Sequence, residues 1–228
     1  MVSQSPRASA SRARLRAAAA AEFAARGFAG ATVDRIASRA RVTKAMVYYH
    51  FPSKAALYRE ILRDLFASVA ERVAAVREAG GSPQAQLAGF IRAINETALA
   101  EPTFPPTWLR EIADGGRHVD ESVLRQTARV VGTLTEILHD GEAAGVFRPL
   151  PPLVVQFGIV GPLLLSAATE SLRANLPALP LYKISRESIA AHVERMALAG
   201  LAPAAPAGAG FAAPDAEKAS RSKSRRSS

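Results

Sequence analysis

The sequence predicts an all-α protein of about nine helices. Three observations carry this. Ala, Leu, Arg and Glu dominate the chain. No run alternates apolar and polar residues with β-branched enrichment, which a half-buried strand requires. Apolar residues instead recur at helical spacing between short punctuation marks of Gly, Pro, Ser and Thr. With 228 residues, 49% of them hydrophobic, the chain is long enough to bury a sizeable core.

The elements follow in order. A first helix is expected over residues 11–26, because Leu15, Ala19 and Phe23 share one face and Gly27 supplies a stop. Thr32 caps a short helix, VDRIASRA, with Val33, Ile36 and Ala37 facing inward. Arg41-Val42 form a tight turn, and Thr43 caps a third helix, KAMVYYHF, which Pro52 ends. Ser53 caps a longer helix over 54–79, closed by Gly80-Gly81. Ser82-Pro83, a cap followed by proline at the first helical position, opens a helix to about residue 100. EPTFPP (101–106) is expected as a loop, followed by a short helix over 107–114 that ends at Gly115-Gly116. Another helix is expected over 120–144, stopped by Gly145. Pro151-Pro152 start an apolar helix to about residue 175, residues 176–183 form a proline-containing loop, and Ser185 caps a last helix to about residue 199.

Charge is unevenly placed. Residues 1–66 hold 12 Lys/Arg against 4 Asp/Glu, a net +8. Residues 67–202 hold 12 against 14, a net −2, and residues 203–228 hold 5 against 2, a net +3. A basic head on a near-neutral body suits a polyanionic partner. There is no cysteine, which excludes disulfides, thiolate metal sites and Cys nucleophiles. The N-terminus lacks the apolar core of a secretory signal. The most apolar stretch, 153–168, is too short for a typical spanning helix and reads as a buried one. The expected setting is cytoplasmic, with no membrane partner. No P-loop, G-x-S-x-G, dinucleotide fingerprint or H-E-x-x-H is present, and the four histidines have no metal-ligand spacing. The expectation is therefore no enzyme, no cofactor and no metal.

Three short helices within about 45 residues, the last two joined by a tight turn, have helix-turn-helix spacing. The third helix carries residues suited to a DNA groove. Thr43 offers a hydroxyl and Lys44 a cation. Ala45 lets the backbone approach base edges, and its methyl fits a thymine methyl. Met46 offers an apolar contact, while Tyr48 and Tyr49 present rings with hydroxyl donors. His50 and Lys54 can donate to phosphates. Val47 and Phe51, at i and i+4, are the expected core anchors. Paired tyrosines and a lone histidine are individually unspecific, and such patterns occur by chance in helical proteins.

Taken together the run is specific. Residues 23–62, FAARGFAGATVDRIASRARVTKAMVYYHFPSKAALYREIL, resemble the DNA-binding domain of the TetR family of transcriptional regulators. The resemblance implies an N-terminal three-helix head, a linking fourth helix, and a helical C-terminal bundle that dimerises through its last two long helices. It implies phosphate-contacting roles for Thr32, Thr43, Lys44, Tyr48, His50 and Lys54, and base-facing roles for Ala45, Met46 and Tyr49. One position departs from the pattern: the family often has Gly where Arg41 stands, and Arg is penalised at positive φ. The turn is thus expected to differ slightly, or Arg41 to add a phosphate contact.

The implied organisation is a flexible basic arm (1–10), a helix-turn-helix DNA-binding domain (11–53), a ligand-binding and dimerisation domain (54–202) and a disordered basic tail (203–228). Gly158, Gly161, Ala167 and Ala168 are small enough for close helix approach in a dimer. Phe90, Phe104, Trp108, His118 and Phe157 are candidate liners of an apolar ligand pocket. The expected function is a homodimeric repressor that binds a palindromic operator in double-stranded DNA and is released by an unidentified small-molecule effector. The alternatives are an activator of the same fold, or a helical protein that binds DNA through charge alone.

Overall fold

The computed structural model describes residues 6–170 and 184–203, and within them nine α-helices and no β-strand. In chain order these are α1 (Pro6–Gly30), α2 (Val33–Ala40), α3 (Lys44–His50), α4 (Lys54–Glu78), α5 (Pro83–Ala100), α6 (Phe104–Ala113), α7 (Glu121–Ala143), α8 (Pro152–Ala168) and α9 (Arg186–Leu201). The expected tail 203–228, apart from Pro203, and the expected loop 176–183 lie outside the described residues.

Capping explains why the boundaries were readable. The hydroxyls of Thr32, Thr43, Ser53, Ser82 and Ser185 accept hydrogen bonds from the backbone N–H of Arg35, Met46, Ala56, Ala85 and Ser188. Each cap is worth about 1 kcal/mol. Gly27 is the break in α1, at φ 67 and ψ 177, beyond which one short turn reaches Gly30. Three expectations shift. α1 starts at Pro6, inside the segment expected as a flexible arm, because proline's fixed φ suits a first turn and the alanines after it favour helix. α6 starts at Phe104 rather than Thr107, because Pro105 and Pro106 occupy first-turn positions where an N–H has no helical partner anyway. α8 ends at Ala168, short of residue 175.

Helix α4 is the axis of the molecule. Its first half packs on α1, and its length lies against α5 and α7. α9 lies against α8 and α5. One continuous apolar cluster runs from Leu15, Phe23, Ile36, Val47 and Phe51 in the head, through Leu57 and Leu62 of α4, to Phe90, Leu134 and Leu163 in the body. Of the predicted inward residues, Leu15, Ala19, Phe23, Ile36, Ala37, Val47 and Phe51 are essentially buried, and Val33 is half-buried against the same cluster. Gly141 marks a tight approach: a Cβ there would lie 1.9 Å from the Phe147 ring.

The apolar helix α8 differs from expectation. Only Val155, Ile159, Leu163 and Leu164 are buried, while Leu153, Val154, Phe157 and Leu165 are exposed. Burying one face is all that a single chain's bundle requires of it. Among the described residues no helix is long and apolar enough to cross a membrane.

Candidate nucleic-acid interface

The α2–turn–α3 unit is held by backbone geometry. Arg41 closes α2 in the left-handed region, φ 55 and ψ 49. Its N–H donates to Ser38 O, and the Val42 N–H donates to Ala37 O. This is a Schellman closure, with arginine at the position that glycine usually takes. The turn therefore keeps the glycine geometry instead of deviating, at a cost of about 1 kcal/mol for a side chain at positive φ.

α3 turns one residue inward and five outward. Val47 is buried and Phe51, just after the helix, seals it against the core. Lys44, Ala45, Met46, Tyr48 and Tyr49 are exposed, Tyr49 at 76%. A large, exposed tyrosine on a short helix is not holding up a core, so its ring is available to a partner. Thr32 and Thr43 are exposed too; each hydroxyl accepts a cap hydrogen bond and keeps its own proton to donate.

The cations are less free than the sequence implied. The Lys44 ammonium lies 3.0 Å from Asp34 Oδ2, and this hydrogen bond and charge hold its pKa above the usual lysine value. A phosphate there must compete with Asp34. Lys54 does different work from the expected phosphate contact. Its ammonium donates to Phe28 O (2.9 Å) and Ala31 O (3.0 Å) and sits 4.3 Å from the Phe28 ring centre. It pins the end of α1 to the start of α4 and spends two of its three donors there. His50 is half-buried, with Nε2 2.8 Å from Ser11 Oγ. Arg12 lies over the Phe51 ring and chelates Glu60 at 2.6 and 2.7 Å.

The joint between head and body is centred on a residue with no signal in the sequence. Glu111 of α6 is fully buried. Its carboxylate accepts from the Tyr58 hydroxyl (3.1 Å) and from the His118 N–H (2.7 Å), and lies 3.1 Å from His118 Nδ1. Burial first, then the Glu111 charge, pushes the Tyr58 phenol above its usual pKa. Phe23, Phe28, Tyr58 and His118 stack as a group, with the Phe28 and His118 rings 3.9 Å apart. Arg110 donates to the carbonyls of Ala24 and Ala25, beside the Gly27 break. A glutamate in a short helix ordinarily reads as a surface residue, so no pattern exposed this one.

Of the candidate pocket residues, Phe104 and Trp108 meet on the Phe66 ring. Phe90 and Phe104 are plain core. Trp108 packs edge-on against Phe66 at 4.6 Å. His118 belongs to the Glu111 joint. Phe157 is 74% exposed on the outer face of α8. Its large ring fitted the apolar pattern, but its helical phase places it opposite Val155 and Ile159.

Similar proteins fit this arrangement. Residues 15–61 match the sequence model of "Bacterial regulatory proteins, tetR family". The HTH-type transcriptional repressor NicS of Pseudomonas putida is 29% identical over 133 residues, which cover 58% of this chain and 63% of NicS. The chain thus spans less than two thirds of the length of the curated relatives it matches. The ketosteroid transcriptional regulator KstR2 of Mycobacterium tuberculosis superposes with a TM-score of 0.66 at 23% identity, covering 84% of this chain and 95% of KstR2. The transcriptional regulator FadR from Bacillus subtilis, solved in complex with stearoyl-CoA, gives 0.66 at 16% identity over 83% and 99%. The all-helical fold is the one these regulators share.

Proposed function

Residues 15–61 belong to the tetR family of bacterial regulatory proteins, and from that premise we propose that the chain is a sequence-specific transcriptional repressor, not an enzyme, acting in the cytoplasm. It binds a palindromic operator as a homodimer and is released by a small molecule. The observation that carries the reading is α3. It buries Val47 and leaves Lys44, Ala45, Met46, Tyr48 and Tyr49 outward on a helix braced by Phe51. Ala45, Met46 and Tyr49 face bases; Thr32, Thr43, Lys44, Tyr48 and His50 hold phosphates. Lys54 positions the head.

A helix of this length reads few base pairs, so a second copy is needed to reach a second half-site one helical turn away. The outer face of α8 supports a homodimer. Leu153, Val154, Phe157 and Leu165 are exposed, and Gly158 and Gly161 have open space around them. This is where Phe157 finds its use. The FadR complex with stearoyl-CoA supports a small-molecule effector in this fold. Such an effector acts by binding the DNA-incompetent geometry more tightly; equal affinity for both geometries shifts nothing.

The test is selection of bound fragments from genomic DNA with the purified protein, followed by titration of the recovered palindrome against scrambled duplex. Tyr49→Ala is expected to remove the preference for the palindrome, and Lys44→Ala to weaken binding to both duplexes alike. Equal binding of all duplexes by the wild type overturns the reading.

A further inference from the structure

The head's positive charge is mostly spent. Arg12, Arg16, Arg26, Arg35, Arg59, Arg63 and Lys44 each pair with a carboxylate, and Lys54 is held by two carbonyls. Among the head residues whose side chains are described, three cations form no ion pair and no side-chain hydrogen bond: Arg14, Arg39 and Arg41. They come from α1, from the end of α2 and from the α2–α3 turn. All three line one groove of about 480 Å³, floored by alanines that include Ala17, Ala18 and Ala40. No carboxylate lines it.

A second observation concerns Arg41 itself. It occupies the single non-glycine position at positive φ among the described residues. Glycine would relieve about 1 kcal/mol of strain there. A strained residue that persists points to a use for its side chain.

We infer that this groove is a second, non-sequence-reading DNA contact, which takes the phosphodiester backbone of duplex flanking the base pairs read by α3. Three unpaired guanidiniums and no carboxylate complement a polyanion, and guanidinium matches phosphate geometry. The groove is open rather than enclosed, which suits a passing backbone. It also continues from the proposed interface: Arg41 stands two residues before Thr43 and three before Lys44. The alanine floor lets a strand approach without a side chain in the way. The inference rests on the DNA-binding reading given above.

The test uses the full chain carrying Arg14→Ala, Arg39→Ala and Arg41→Gly. The glycine keeps the turn unstrained, and Arg14→Ala with Arg39→Ala serves as a second variant should the triple misfold. Two duplexes are titrated across a salt series: the selected palindrome trimmed to its core, and the same palindrome with about one helical turn of added flank on each side. On the flanked duplex, the slope of log K against log salt is expected to fall by about 5 per dimer for the triple variant, and by about 4 for the double. The preference for palindrome over scrambled sequence stays, and the trimmed duplex shows little difference from wild type. An unchanged slope on the flanked duplex, or an equal drop on the trimmed one, overturns the inference. Failure of the DNA-binding reading itself looks different: the wild type then shows no preference for the palindrome.

Discussion

Replacing Glu111 tests whether the head and body are tied by a buried carboxylate. In Glu111→Ala, the Tyr58 hydroxyl and the His118 N–H lose the acceptor that now lies at 3.1 and 2.7 Å. Both sit against the Phe23–Phe28–Tyr58–His118 ring group, and Tyr58 is essentially closed to water. An orphaned buried donor costs about 1–3 kcal/mol, so the buried Tyr58 hydroxyl and the part-buried His118 N–H together give about 4 kcal/mol of destabilisation, most of it from Tyr58. For a chain of this size, that lowers the melting temperature by roughly 8–16 °C. Glu111→Gln keeps one acceptor oxygen where the two donors now use both, so one donor loses its acceptor and the other its charge assistance, and the variant should lose about 1–3 kcal/mol. The assay is thermal unfolding followed by far-UV circular dichroism, at one fixed protein concentration because a dimer's melting point depends on it. A double-mutant cycle of Glu111→Gln with Tyr58→Phe should show a coupling of about 1 kcal/mol. Glu111→Ala melting within 2 °C of wild type, or strict additivity in the cycle, would refute the account of the joint.

Three further outcomes follow. Tyr58 has its pKa raised by folding, so its contribution is complete below the unfolded value of about 10 and is lost as pH rises through the higher folded value. The wild type should lose stability in alkaline denaturant titrations, and Tyr58→Phe should flatten that loss; parallel curves would count against it. Two glycines of α7 should respond with opposite signs. Gly132→Ala meets nothing within 4 Å and should raise the urea midpoint by the equivalent of about 0.5–1 kcal/mol, whereas Gly141→Ala displaces the Phe147 ring and should cost about 1–3 kcal/mol. Phe157→Asp places a charge on the proposed dimer face and should weaken self-association by tenfold or more in sedimentation equilibrium, with unfolding cooperativity kept; an undisturbed dimer would remove α8 from the interface.

Much of the fold was legible because helix boundaries are local. A cap is an interaction over two or three residues, so Thr32, Thr43, Ser53, Ser82 and Ser185 announce themselves along the chain. The same holds for the inward stripe Leu15, Ala19, Phe23 and for Val47 with Phe51, since helical periodicity alone sets their phase. The misread start of α6 came from reading Pro105 and Pro106 as loop residues, when the first helical turn accepts proline equally well.

By itself, the sequence determined the order of the nine helices among the described residues, the three-helix head, and the residues that α3 turns outward. Tertiary structure alone decided how each charge is spent. Lys54 reaches carbonyls 23 and 26 residues away, Lys44 pairs with Asp34, and Glu111 meets Tyr58 across 53 residues. It also left Phe157 exposed on α8 and brought Arg14, Arg39 and Arg41 to one groove. The physical reason is range. Caps and periodicity act within one or two turns of a helix. The partner of a charge depends on which helices come to lie side by side, and that is settled only when the whole core closes.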